Sequence, residues 1–316
     1  MRKILLVNVD SVIPNFALEK LRVYYERKGD KVTKIRDESA RILPFVNCYN
    51  KIYVSCVFDY NKHSCKKWEG VADIGGSGYD LRKCLPAKIE RIKPKMNFGF
   101  TTRGCIRNCS WCIVPRKEGW IRPVGDVYDI WDGQGRSIVL MDNNILALPK
   151  HFLKICRQIK KENLVVDFNQ GLDHRLLTDE ICQELLSLRY PGFLRFAFDH
   201  ISYKKSVLKA IKMLKKNGMR GHYARWYVYV GVNNTIRDVL ERINILRDAG
   251  QMVFLMRDRN EKVQNNSEFA KMFLWTYSLA SYFGVEYCYF DRAFSLNRFV
   301  KKNSRPTLFE NKRSKK

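Results

Sequence analysis

The stretch Asn97-Phe-Gly-Phe-Thr-Thr-Arg-Gly-Cys-Ile-Arg-Asn-Cys-Ser-Trp-Cys112 joins a short apolar run to a loop holding Cys105, Cys109 and Cys112 in the spacing C-x-x-x-C-x-x-C. The run Phe98–Thr101 reads as a strand, and it is the first of six. The others are Ile138–Met141, Leu164–Asp167, Leu194–Phe198, Trp226–Val230 and Val253–Met256. Helical patterns fall between them. His151–Lys161 follows Pro149, and Glu180–Leu188 follows Thr178 as a cap. Lys204–Lys216 stops at Gly218, Ile236–Asp248 runs from a Thr235 cap to a stop at Gly250, and Asn266–Phe283 comes last. Six strand–helix units predict an α/β fold with a partial (β/α)6 TIM-like barrel over 97–289, short of the usual eight units. Barrels of this kind collect their chemistry at the C-terminal ends of the strands, so the cysteine loop falls where an active site belongs.

Upstream, residues 1–85 predict a small Rossmann-like, doubly wound domain. Its strands are Lys3–Val9, Val32–Ile35, Lys51–Phe58 and Val71–Ile74. Its helix is Pro14–Lys28, with Phe16, Leu18, Leu21, Tyr24 and Tyr25 inward and Gly29 as the stop. The glycines of Gly75-Gly-Ser-Gly78 form a tight turn. Residues 86–96, with Pro86 and Pro94, are the expected linker, and 290–316 form a basic tail.

The chain of 316 residues has a formal charge of +26 and an ordinary hydrophobic fraction of 46%. So basic a surface favours polyanions. The charge is concentrated in places. Lys204–Lys216 sets Val207, Leu208, Ile211 and Leu214 on one helical face and lysines on the other. A solvated lysine face is the bland alternative. The apolar run Lys3–Val9 is too short for a membrane span or a signal-peptide core, so no membrane association is expected and the cytoplasm is the expected compartment. Ten cysteines in such a chain read as reduced thiols, metal ligands or core residues.

Three cysteines in one loop supply three thiolates to a four-iron cluster and leave one iron without a protein ligand. A closed structural zinc site needs four ligands, commonly in two separated pairs, and no second pair has that spacing here. A ferredoxin would need a fourth nearby cysteine.

On these residues the chain resembles the radical S-adenosylmethionine superfamily, whose signature is C-x-x-x-C-x-aromatic-C, with Trp111 at the aromatic position. The resemblance spans about Asn97 to Tyr289. The front domain resembles the cobalamin-domain-like sheet of one large branch, in a methylthiotransferase-like layout. The resemblance implies a [4Fe-4S] cluster on Cys105, Cys109 and Cys112, S-adenosylmethionine on the open iron, and a low-potential electron donor such as a flavodoxin or ferredoxin. It implies reductive cleavage of the sulfonium carbon–sulfur bond to a 5'-deoxyadenosyl radical that takes a hydrogen atom from the substrate.

It also implies cofactor contacts at the strand ends. Asn143 and Asn144 end the second barrel strand, Asn169 and Gln170 the third. Asp199 ends the fourth, facing ribose or the amino acid, and Gly231 ends the fifth, where backbone approaches adenine. Asp173, His174, Arg175 and Arg257 are further candidates for substrate contacts. Each is equally read as a polar strand-end turn, and a lone His is more often a satisfied core or surface residue.

The front domain departs from its branch. It lacks D-x-H-x-x-G, since Asp59 is not two residues before His63, so cobalamin is not expected. Cys48, Cys56, Cys65 and Cys84 do not reproduce a second-cluster pattern, and Cys56, Cys156, Cys182 and Cys288 read as core. The leading expectation is a radical enzyme that modifies a nucleic-acid base in tRNA or DNA. The alternatives are a radical enzyme acting on a small metabolite or peptide, and a non-enzymatic nucleic-acid-binding iron–sulfur or metal protein. The sequence leaves the substrate atom and the oligomeric state open.

Overall fold

A computed structural model describes residues 1–37, 46–220 and 223–290. The protein is an α/β molecule with parallel sheets. It divides into two compact units, Met1–Gln170 and Gly171–Lys316. The tail expected at 290–316 lies, apart from Phe290, outside the described residues.

The first unit opens on β1 (Lys3–Asn8), whose residues Ile4 to Val7 are all buried. A strand covered on both faces needs such a continuous apolar run. Ile4 and Leu6 pack with Leu18, Leu21 and Tyr25 of α1 (Phe16–Glu26), while Leu5 and Val7 meet Trp68 and Cys65 in a second core cluster. The helix starts two residues later than its apolar pattern, because the Asn15 side chain accepts the Leu18 N–H at 3.2 Å and caps it. With β2 (Lys31–Arg36), β3 (Lys51–Ser55) and β4 (Asp73–Gly75) the sheet has the order β2-β1-β3-β4, all parallel.

Between β3 and β4 a 3-10 helix, Asp59–Trp68, carries Cys65 and Trp68 into the core. Its three-residue period matches neither pattern sought in the sequence. Residues 86–96, expected as a linker, include a helical turn, α2 (Ala87–Glu90). Ile89 is buried in the α1 cluster, and Lys20 donates to Glu90 Oε1 at 2.7 Å.

The same unit continues with β5 (Phe98–Gly99), β6 (Thr102–Arg103), α3 (Val114–Lys117), β7 (Arg122–Pro123), α4 (Val127–Ile130), β8 (Ser137–Leu140), α5 (Pro149–Lys161) and β9 (Val165–Phe168). Strands β5-β8-β9 form a parallel sheet in that order, and β6 and β7 form a short antiparallel ladder. Helix α5 buries Phe152, Ile155, Cys156 and Ile159 at helical spacing.

In the second unit α6 (Asp179–Ser187) is capped by Thr178, whose hydroxyl accepts the Ile181 N–H. Then come β10 (Leu194–Ala197), α7 (Lys204–Lys216), β11 (Ala224–Val230), α8 (Ile236–Asp248) and β12 (Met252–Arg257), with a parallel sheet in the order β10-β11-β12. Strand β11 buries every second residue: Ala224, Trp226, Val228 and Val230. Helices α9 (Glu261–Gln264), α10 (Ser267–Tyr277) and α11 (Leu279–Gly284) follow.

Three expectations are corrected here. The single helix expected over Asn266–Phe283 breaks at Ser278, whose extended backbone separates α10 from α11. Leu208 is exposed, and Ala210 completes the buried face of α7 instead. Cys288 is exposed rather than core, because it lies in a 3-10 turn beyond the last strand. Among the described residues no helix is long and apolar enough to cross a membrane.

The least expected core residue is Arg242 of α8, which is fully buried. Its Nη1 donates to the carbonyls of Phe198, Asp199 and Tyr229 at 3.0–3.1 Å, and its Nη2 donates to Asp238 at 2.8 Å. Replacement by Met would leave these carbonyls without their donor and Asp238 without its counter-charge. We expect Arg242→Met to lower unfolding stability by about 3 kcal/mol or more. Urea denaturation measures this, and an unchanged midpoint would contradict it.

Candidate functional site

The cysteine loop leaves β5 through Thr101 and Thr102, both completely buried. Asp142, just past β8, holds them. Its Oδ1 accepts from the Thr101 N–H at 2.9 Å, the Thr101 hydroxyl at 3.0 Å, the Thr102 hydroxyl at 2.7 Å and the Thr102 N–H. Its Oδ2 is buried with no hydrogen-bond partner among the described residues. Burial raises the Asp142 carboxyl to about 6 even against these donors. His151 of α5 lies beside the Thr101 backbone, and burial lowers its pKa, so its imidazole is neutral at pH 7.

Gly104 then turns the chain at φ +86°, where a Cβ would collide with the backbone of Gly119 and Trp120. The Cys105 N–H donates to the Gly119 carbonyl at 3.2 Å, which closes the base of the loop.

Asn143 and Asn144 meet this loop directly. Asn143 Oδ1 accepts the Gly104 N–H at 3.2 Å, and Asn144 Nδ2 donates to Cys105 Sγ at 3.4 Å. Cys105 Sγ also accepts the Arg107 N–H at 3.3 Å, and Cys112 Sγ accepts the Val114 N–H at 3.4 Å. The Cys112 N–H donates to the Cys109 carbonyl, so the second and third cysteines share one turn. Trp111, between them, is 42% exposed. Asn169 and Gln170 follow β9 at the same end of the sheet. Gln170 Nε2 donates to Asn169 Oδ1 at 3.3 Å and lies 3.8 Å from Met141 Sδ.

These contacts decide whether the loop suits an iron–sulfur cluster. All three cysteines are half-buried, and amide N–H groups point at two of the sulfurs. Donors of this kind hydrogen-bond the sulfurs of cluster-ligating cysteines and hold them in place. The donor set therefore fits. Among the described residues no group of three or more His, Cys, Asp or Glu side chains is gathered tightly enough to hold a single metal ion.

The remaining candidates belong to the second unit. Asp199 is drawn inward, where the Tyr229 N–H donates to its carboxyl. Burial raises that carboxyl to about 6, with Arg242 and Arg175 pulling the other way. Gly231 is buried, its N–H donates to Asn234 Oδ1 at 2.8 Å, and a Cβ there would meet the Tyr229 ring at 2.8 Å. The ring is fixed in turn by its hydroxyl, which donates to Asp258 at 2.6 Å. His174 is a satisfied core residue, with Nε2 3.0 Å from Ser206 Oγ and its ring against Trp226. Asp173 binds Arg175 through Nε at 2.7 Å, and Arg257 lies over Phe273.

Asp142, His151 and Arg242 were not anticipated from the sequence. Asp142 had a readable signal, since an acid ending one strand beside Thr-Thr at the end of another offers an acceptor to several donors. His151 and Arg242 sit in ordinary helical patterns and carried none. Comparisons with protein-family models and with curated proteins found no match.

Because burial raises the Asp142 pKa from 3.8 to about 6, the stability that this group contributes is present below pH 4 and lost as pH rises through about 6. An asparagine keeps an Oδ1 acceptor for the four donors and puts its amide where Oδ2 has no partner. We expect Asp142→Asn to match the wild type near pH 4 and to exceed it by about 3 kcal/mol at pH 7. Asp199, raised in the same direction, retains its own pH dependence in the variant. Urea unfolding between pH 4 and 7.5 is the measurement, and a variant weakened equally at every pH would refute the assignment.

Proposed function

We propose that the protein is a radical S-adenosylmethionine enzyme that modifies a nucleic-acid base. The observation that carries the chemistry is the hydrogen bonding of the C-x-x-x-C-x-x-C loop, in which amide donors reach Cys105 Sγ and Cys112 Sγ at the end of a parallel strand. The reading takes the six parallel strands β5 and β8 to β12, in chain order, as a partial (β/α)6 barrel behind a Rossmann-like domain. A parallel bridge between Leu172 and Phe196, soon after β9, is in keeping with this order.

Cys105, Cys109 and Cys112 would hold a [4Fe-4S] cluster, which with bound S-adenosylmethionine supplies reductive cleavage to a 5'-deoxyadenosyl radical. The chain's own residues prepare the place for it. Asp142 fixes the exit of the loop from the sheet. Asn144 and the Arg107 amide hydrogen-bond to Cys105 Sγ and fix its position. Asn169 and Gln170 offer side-chain amides at the neighbouring strand end, and Asp199 and Gly231 are the proposed ribose and adenine contacts. The electron would come from a flavodoxin or ferredoxin.

The substrate class rests on charge. A formal +26 is joined by exposed Lys204, Lys205, Lys209 and Lys212 along α7, none of which makes an ion pair among the described residues.

Anaerobic reconstitution with iron and sulfide, followed by a strong reductant and S-adenosylmethionine, should yield about four irons per chain and 5'-deoxyadenosine. Alanine at Cys105, Cys109 or Cys112 should abolish both. A protein that takes up no cluster, or cleaves nothing once loaded, would sink the radical reading. Separately, tRNA affinity should fall by orders of magnitude between about 50 and 200 mM salt if several phosphates are contacted. No binding at low salt would remove the nucleic-acid substrate.

A further inference from the structure

The segment that carries the cysteines also presents a highly exposed aromatic ring on a firmly held backbone. Trp120 is 70% exposed, although tryptophan has more apolar surface to gain by burial than almost any side chain. Among the described residues its ring makes no stacking, cation–π or hydrogen-bonding contact. Its backbone is firmly held. Gly104 packs against the Gly119–Trp120 backbone, the Gly119 carbonyl accepts the Cys105 N–H, and Arg103 pairs with Arg122 across the β6–β7 ladder. The ring therefore stands at the base of the cysteine loop.

Its surroundings are cationic. From Arg103 to Arg122 the chain has five basic side chains and a single acid, Glu118, which Arg103 engages at 2.8 Å. Lys117 donates to the carbonyls of Leu81 and Lys83, and Arg122 to the carbonyl of Glu118. Neither makes an ion pair among the described residues. Arg116 is exposed and makes no ion pair among the described residues. Trp111 and Ile113 are exposed in the same segment, but a purely apolar partner would leave the interleaved cations unmatched. A nucleotide matches both features, with a π-face for the indole and phosphates for the cations.

We propose that Trp120 is a stacking platform for an unpaired base of a single-stranded nucleic acid, with Arg116 and Arg122 meeting the adjacent phosphates. The proposal rests on the nucleic-acid reading above and adds how the strand is held. A base inside a closed duplex has both faces stacked already and cannot use the ring.

The test is fluorescence anisotropy of the full chain with a short labelled single-stranded RNA, a DNA of the same sequence, and the duplex of each. Trp120→Ala should weaken single-strand binding by about five- to a hundredfold and leave duplex binding unchanged. Trp120→Tyr should restore most of the loss, because a smaller ring still stacks. Arg116→Gln should weaken all four probes alike and reduce the salt slope by about one. The RNA and DNA arms show which polymer supplies the base. If Trp120→Ala binds single strands like the wild type, or loses duplex binding equally, the stacking role is wrong while the nucleic-acid reading survives. If the wild type binds none of the probes at low salt, that reading falls as well. Unfolding midpoints of the variants, expected to match the wild type for so exposed a residue, separate lost stacking from lost structure.

Discussion

The arrangement of the cysteine loop depends on one buried carboxylate. Asp142 Oδ1 gathers two backbone amides and two hydroxyls from Thr101 and Thr102, at the point where β5 gives way to the loop. Parallel strands end with backbone groups that no further ladder can satisfy, and a buried amide must find an acceptor. A carboxylate meets four such donors at once, at the cost of burying a charge. The geometry then propagates. With Thr101 and Thr102 fixed, Gly104 turns into the one conformation that clears the Gly119–Trp120 backbone, and Cys105 emerges beside Asn143 and Asn144.

The second unit solves the mirror problem with the opposite charge. At the ends of β10 and β11 the groups in need are carbonyls, and Arg242 supplies the donors from α8. Asp238, one helical turn earlier, balances its charge. Both units therefore place a buried ion at the C-terminal ends of parallel strands, an acid where amides are orphaned and a base where carbonyls are. The choice of sign follows from which backbone group the turn exposes. Removing a buried ion of this kind leaves the groups it serves unpaired in the core, whatever the ion's own net contribution.

Much of this was legible in the sequence wherever a single periodicity governed a segment. Helices α7 and α8 have the ends that their apolar patterns and stop glycines predict, and Thr178 and Thr235 cap as their positions imply. The reading failed where local and long-range requirements diverged. Asp59–Trp68 follows a 3-10 period because Cys65 and Trp68 must both reach the core within a short span. Helix 266–283 looked continuous because its composition is helical throughout. The break at Ser278 allows α11 to turn back on α10, with Tyr282 packed on Trp275. At the candidate site the spacing singled out the three cysteines, and the resemblance pointed to Asn143 and Asn144, which meet the cysteine loop. Asp142 was harder, because its role depends on the pairing of strands about 40 residues apart, which no local pattern encodes.

The ten cysteines illustrate how environment separates equal residues into different roles. Cys56 and Cys65 share one core cluster, and burial raises both thiols. Burial also pushes Cys182 up to about 11. A thiol so placed is neutral and enclosed, and it serves as a small apolar side chain. The loop cysteines have the same chemistry in a different setting: half-exposed, on a turn rather than in a helix or strand, with amides directed at their sulfurs. A metal-binding sulfur needs both access to its partner and donors that hold it in place, and this loop provides the two together. Composition therefore says little about which thiols of this chain lie in the core and which on an accessible loop. The deciding factor is that Asp142 and Gly104 hold one short loop out of the core while Asn144 keeps its first sulfur supplied with a donor.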